Sequence, residues 1–332
     1  MARAALRSPY FISVAPTVIT TNSVVLTISI NSVIVYTLTK NTVYPTVVEF
    51  EIAELVRDYL NITWDITRGI NNAQVINFTW TMQFYNEANG AGNLIQTETS
   101  SIITGFEAYG YFMEGVNPEP PFYLSETACF LIAPKLGTTD QFEIFVPEGA
   151  TGHVPIMTSG VPSYEPYDST DTSISNGSAS CTINRISCSK YGDGTFVSFI
   201  NKYGMFQDLW FSLKRVLTTN TTKEQYQGIN LYTSGTMGYS VTTPTKVVYD
   251  KEATERISLS SGYYPEGHNA VFEQLLESEQ VWMRVINQAG TIQYMPVNVV
   301  TSSFVKKTKL NDKLIDYTIE FAQAFDKINN IR

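Results

Sequence analysis

Apolar and polar positions alternate with a period of two along most of this chain, the signature of strands with one buried face. Val24, Leu26, Ile28 and Ile30 share one face, Asn31-Ser32 interrupts, and Val33, Val35, Thr37 and Thr39 resume the pattern. That arrangement predicts a hairpin within residues 10–40. Val47–Ile52 continues as strand. In Gln74–Tyr85 every alternate residue, from Ile76 through Phe78, Trp80 and Met82 to Phe84, is apolar. The polar, Gly-containing loop Asn86–Asn93 should end that strand, with Leu94–Thr99 pairing back on it. Residues 105–122 predict an aromatic loop or short helix closed by Pro118, Pro120 and Pro121. Strands are further predicted at Ala128–Ala133, Phe142–Val146, Ser180–Ser189, Tyr226–Leu231, Met237–Thr242, Thr245–Tyr249 and Glu255–Leu259, with polar stretches such as TTNTTK as connections. Val281–Ile286, Ile292–Val300, Thr301–Lys309 and Lys313–Phe325 complete the series.

The densest apolar stretch is Phe196–Arg215, FVSFINKYGMFQDLWFSLKR. Two aromatic-rich arms flank Asn201-Lys202-Tyr203-Gly204, and a Gly closing so short a break supplies the positive φ of a hairpin loop. Apolar residues fall on both faces of the arms, as at Phe199/Ile200 and Trp210/Phe211. Both faces should therefore be covered, one by the helix near 270–279 and the other by the C-terminal strand or an adjacent subunit.

A helical period occurs in two places. Ile52, Leu55, Val56, Tyr59 and Leu60 predict a short helix near 52–60, and Val271, Phe272, Leu275 and Leu276 predict another near 270–279. Between residues 147 and 177 the chain changes character, with Gly149, Gly152, Pro155, Gly160, Pro162 and Pro166 and few aliphatics. The fold class expected is mainly β: two β-rich, sandwich-like domains, residues 1–155 and 181–332, separated by a Gly/Pro/Ser-rich arm or linker at 156–180.

Composition sharpens this picture. Charged residues are 16% and aromatics 13% of the 332 residues, which favours strands over helices. The net charge of −9 repels phosphate backbones, so no direct nucleic-acid partner is expected. Lys306, Lys307 and Lys309 are expected on a solvated edge. The start MARAALRSPYF lacks the apolar core of a signal peptide, and no stretch has the roughly 20 apolar residues of a membrane span. Three cysteines, Cys129, Cys181 and Cys188, are too few for a disulfide framework. Reduced thiols and folding in the cytoplasm are expected, with a Cys181–Cys188 bridge as the alternative.

Catalytic templates are missing. His153 and His268, the two histidines, belong to no metal or nucleophile spacing and are expected as exposed loop residues. No GxSxG, GxxxxGK[ST] or strand-linked GxGxxG occurs. Asp168 and Asp171 in a Ser/Thr-rich loop have the oxygen chemistry of a calcium site but not an EF-hand's spacing. Asp193 and Asp312 suit turns. The sequence thus assigns no catalytic, cofactor or metal residue and reads as a non-enzyme.

The C-terminal segments FINKYGMFQDLWF, ISLSSGYYPEGHNAVFEQLLESEQVWMRV, PVNVV and KTKLNDKLIDYTIEFAQAFDKINNIR, with VEFEIAELVRDYLN near the start, resemble virion structural proteins of tailed bacteriophages infecting Bacteroidota, the crAss-like phages included. The resemblance covers about half the chain in pattern and transfers no catalytic residue. It implies a subunit of a symmetric tail, neck, collar or baseplate ring of roughly six or twelve copies, bound to other tail, neck or baseplate proteins. The expected location is the virion, after folding in the host cytoplasm. The alternative is a carbohydrate-binding or adhesive β module using exposed Tyr or Trp.

Overall fold

The computed structural model describes residues 2–64, 75–118, 128–137, 139–159, 161–177, 179–187, 194–228, 232–233, 236–237, 242, 244–286, 290–303, 305–306 and 314–327. The chain is mainly β, with short helices. It divides into two compact units that are not consecutive in sequence. One comprises residues 1–187, 198–209 and 267–278; the other comprises 188–197, 210–266 and 279–332.

The first unit opens with a six-stranded sheet. Its spatial order is Ala2–Ala5, Ile103–Phe106, Val75–Tyr85, Ser23–Ile30 and Val33–Asn41, with Leu94–Thr99 also paired to Val75–Tyr85. Alternation places Val24, Leu26, Ile28, Ile30, Ile76, Phe78, Met82 and Phe84 in one core. Their cover is a two-stranded sheet, Phe11–Val14 with Val48–Glu51, and the helix α1 (Ala53–Arg57), through Ile12, Val48, Phe50, Ile52 and Val56. Helix α1 is shorter than its periodicity predicts. The amides of Tyr59 and Leu60 bond three residues back, to Val56 and Arg57, so the ladder tightens and stops.

The described residues of 147–177, and of the expected arm at 156–180, fall largely in paired strands. They contain the strands Gly152–Thr158, Val161–Tyr167 and Ser173–Asn176. The reason is topological: Gln141–Pro147 pairs in parallel with Ala179–Ile186, and a parallel pair requires a long crossover. The intervening residues form that crossover and pair with one another on the way. Pro162 and Pro166 lie on the outer strand of the three-stranded sheet, where a missing N–H is tolerated. Phe130, Phe142, Val146, Val154, Ile156, Tyr167, Cys181 and Ile183 close this second core.

The predicted hairpin is Thr195–Ile200 with Phe206–Phe211, and all but Asp208 of its strand residues are buried. Gly204 takes φ +77, and a Cβ there would meet backbone atoms of Glu107 and Ala108 at 3.0 Å. The turn's core is polar. Asn201, fully buried, accepts the amides of Tyr203 (3.0 Å) and Met205 (3.2 Å) and donates to the Leu131 carbonyl at 2.7 Å. Gln207 grips the Ala133 peptide from both sides, accepting its N–H and donating to its C=O. Around them Tyr203 and Met205 pack with Ala5, Phe106, Ala108, Cys129, Leu131 and Met157. Helix α2 (Asn269–Glu277) meets the turn where Gln274 accepts the Lys202 amide at 3.1 Å.

The second unit carries, as neighbours in one sheet, the strands Val281–Ile286, Ile292–Val299, Thr318–Gln323, Lys246–Ser260 and Arg215–Gln227. Phe211 meets Phe321 of the C-terminal strand edge to face at 5.9 Å, as the two-sided hairpin requires. Trp210 closes over Gly194, whose φ of +59 and bare Cα leave room for the indole.

Three expectations fail here. Residues 218–223, TTNTTK, are not a connection but the middle of strand Arg215–Gln227, because Thr favours extended backbone and its partner strand supplies a ladder. Tyr226 lies within that strand, which stops at Gln227, and Lys246–Tyr249 and Glu255–Leu259 belong to one continuous strand, Lys246–Ser260. Thr301–Ser303 and Val305–Lys306 are not strand, while Lys307 and Lys309 lie outside the described residues, as do Cys188, Asp193 and Asp312.

Two substitutions test the hairpin. Trp210→Ala should lower stability by about 3 to 5 kcal/mol, from lost burial plus an unfilled cavity. Asn201→Leu should cost about 2 to 4 kcal/mol by orphaning buried amides and a carbonyl. Urea unfolding followed by tryptophan fluorescence reads both; values under about 1 kcal/mol would show that neither residue anchors the fold.

Candidate interaction surface

Among the described residues, the two most exposed large apolar side chains lie side by side. Phe112 is 100% exposed and Met113 97%, on a single 3-10 turn, Phe112–Glu114. Such residues usually escape water by collapsing onto the surface; here the turn is fixed at its base. Glu114 accepts the Tyr111 amide at 2.8 Å and receives Lys202 Nζ at 2.5 Å. Gly115, at φ +82, reverses the chain, and Asn117 joins Phe11 by two hydrogen bonds, accepting its N–H (2.5 Å) and donating to its C=O (2.8 Å). Phe112 and Met113 are therefore presented, not merely left over.

The neighbouring anchor is the last turn of α2. Glu277 Oε2 accepts the phenols of Tyr109 (2.5 Å) and Tyr111 (3.2 Å), while Arg7 donates to the Glu277 carbonyl (3.2 Å) and stacks on the Tyr109 ring at 4.8 Å. Lys202 Nζ lies 4.2 Å from the Tyr111 ring centroid, so its charge is held by both a carboxylate and a π face. Burial first and Glu277 second push both phenols above the ordinary tyrosine range. This cluster sits at the base of the turn. The sequence carries a trace of the turn: Tyr-Phe-Met before Glu-Gly, then Pro118, leaves an apolar pair no regular element to bury it in. Read as an aromatic loop or short helix, that trace did not reveal its exposure.

Other candidate residues fall elsewhere. His153 is half-buried in strand Gly152–Thr158. His268 is not an exposed loop residue but 2% exposed at the start of α2, because the preceding 3-10 turn folds it against Phe145 (5.0 Å between rings) and Glu143. Burial lowers its pKa to about 3, so at neutral pH its contact with Glu143, Nδ1 to Oε1 at 3.6 Å, is not an ion pair. Burial also raises the Glu143 carboxyl, against a hydrogen bond from Asn184.

The Asp168–Asp171 loop is organised by protein groups. The Asp168 amide donates to the Asp171 carboxylate, and the Arg185 guanidinium takes the carbonyls of Asp168, Asp171 and Ala150. A cation already occupies the centre where a calcium ion's carbonyl ligands would converge. Among the described residues no group of three His, Cys, Asp or Glu side chains is placed to hold a metal. Cys129 and Cys181 are buried thiols, and burial pushes Cys181 up to about 12. A shallow groove runs past Phe11, Lys40–Val43 and Thr46–Glu49. Its charged lining is engaged locally, Lys40 with the Glu49 carbonyl and Glu49 with Ser13.

Fold and surface together define a β-rich protein with an exposed apolar pair held on a fixed turn. No family model matches the chain, and no curated protein matches it in sequence. Among the described residues no helix is long and apolar enough to cross a membrane.

The buried histidine makes a pH prediction. The unfolded chain protonates His268 below about 6.5, while the folded chain resists until about 3, so stability falls as pH drops through that window. Glu143, raised in the fold, works in the opposite sense at the acidic end. His268→Gln should flatten the wild-type slope, by up to about 1.4 kcal/mol per pH unit. Equilibrium unfolding at pH 7, 6, 5 and 4, each about one unit apart, measures it; parallel curves for the two proteins would refute the assignment.

Proposed function

We propose that this protein is a structural subunit of a tailed-phage virion, forming a symmetric tail or neck ring by self-association and by contact with adjacent tail proteins. One observation carries the reading: Phe112 and Met113 stand in solvent on a turn bolted by Glu114, Lys202, Glu277 and Asn117. A fixed apolar knob loses little conformational entropy when a partner covers it, which suits a stable interface. The resemblance of the hairpin and C-terminal segments to virion proteins of phages infecting Bacteroidota supplies the setting. The mechanism is mechanical: sheets with buried cores set the shape, and presented loops join subunits.

The adhesive alternative has Tyr226 and Tyr249 in its favour, both exposed and 6.2 Å apart. Their rings are tilted by 46°, so a flat sugar face cannot stack on both at once.

Phe112→Ser with Met113→Ser should leave the melting profile within about 0.5 kcal/mol of wild type. The same pair should weaken association by about a hundredfold, as loss of a central apolar anchor does. Sedimentation velocity and recovery of the protein from purified particles test the reading. A chain that stays monomeric at every concentration and is absent from particles contradicts it.

A further inference from the structure

Strand Ala2–Ala5 is an edge strand of the six-stranded sheet and pairs in parallel with Ile103–Phe106. Ala2 and Ala4 pack with the first core, whereas Ala5 belongs to the cluster that holds Cys129, Leu131 and Met157. Side chains alternate along a strand, so Arg3 points to the side of Ala5 and Cys129. It is only 8% exposed. Arginines are almost never buried unless paired.

Arg3 has no such pair. Its Nε is buried without a hydrogen-bond partner, and among the described residues no ion pair or side-chain hydrogen bond engages the guanidinium. Thr104, directly opposite on the next strand, is not an acid, and its hydroxyl donates to Asn77 Oδ1 at 3.0 Å. Asp140 and Lys135 both lie close enough for their charges to act on Cys129, but they bond each other at 3.0 Å and so offset one another. The Cys129 thiol supplies no counter-charge either. Burial pushes it up, although Arg3 draws it down. A guanidinium carries five donors and a permanent charge, and burying that charge is costly unless it is paired and hydrogen-bonded.

We propose that Arg3 anchors an oxyanion site, where the phosphate or carboxylate group of a small ligand pairs with the guanidinium beside Cys129. The planar fork matches two oxygens of either group, so one ligand satisfies charge and donors together. The apolar neighbours of Cys129 lower the local dielectric and strengthen such a bond. Charge also sets the size of the ligand. A polyanion meets the repulsion of a chain of net charge −9, whereas a small ion at physiological salt feels mainly the charges within about 8 Å. The site lies wholly within the first unit and is independent of self-association.

Calorimetric titration and thermal melting of the full chain with sodium phosphate, sulfate and acetate, each against chloride at equal ionic strength, test the site. At least one of the three should bind saturably and raise the melting temperature by about 2 to 4 °C at roughly five times its Kd. A response to phosphate and sulfate marks a tetrahedral oxyanion, and a response confined to acetate marks a carboxylate. Arg3→Met should weaken binding by about tenfold or more and abolish the thermal shift. In chloride it should nevertheless melt at or above wild type, because an apolar chain replaces an unpaired buried charge without loss. Arg3→Lys keeps the charge without the fork and should bind with intermediate affinity. The proposal is overturned if wild type binds none of the three, or if Arg3→Met binds equally well. A marked loss of stability of Arg3→Met in chloride also overturns it, since the fold itself would then be compensating the guanidinium.

Discussion

The first unit depends on the satisfaction of buried amides at the tip of one hairpin. Asn201 and Gln207 lie out of reach of water, and between them they bond the peptides of Leu131, Ala133, Tyr203 and Met205. An apolar replacement of similar size would keep the volume and strand the backbone groups, each at a cost of about 1 to 3 kcal/mol. These bonds tie the segment after strand Ala128–Phe130 to the hairpin. Tyr203 and Met205 can then pack against Phe106 and Ala108, which lead into the presented turn at Phe112. A polar network with every member paired specifies one arrangement of the aromatic surfaces around it, where apolar packing alone would allow several.

The same logic of satisfied groups separates core from exposed surface. Inside, Arg185 neutralises a ring of carbonyls and Glu277 gathers two phenols, so polar atoms are consumed by the fold itself. Outside, Phe112 and Met113 are large apolar side chains that the folded chain leaves in solvent. Fixing a phenylalanine in water brings the folded chain no hydrophobic gain. Covering that pair with another apolar surface would remove it from water at a gain in free energy.

His268 shows how position overrides residue type. In the sequence it follows Pro265-Glu266-Gly267, a polar turn of the kind that usually faces solvent. In the fold the turn feeds straight into α2, whose apolar stripe must be buried, and the histidine is carried inward with it against Phe145. Its low pKa is a consequence of that burial.

The sequence by itself determined the β class, the hairpins at Ser23–Asn41 and Thr195–Phe211, the strand Val75–Tyr85 and the helix Asn269–Glu277. Each of these is written in a local period of apolar residues, and local periods survive whatever the rest of the chain does. Tertiary structure alone decided that residues 147–177 pair as a crossover, since that follows from the parallel contact of Gln141–Pro147 with the distant Ala179–Ile186. It also decided that TTNTTK is strand, because only the opposite strand gives those threonines a ladder. The exposure of Phe112 and Met113 belongs to the same class. Composition places Phe and Met inside, whereas bonds from Glu114, Tyr111 and Asn117 to partners far away in the chain fix the turn that carries them.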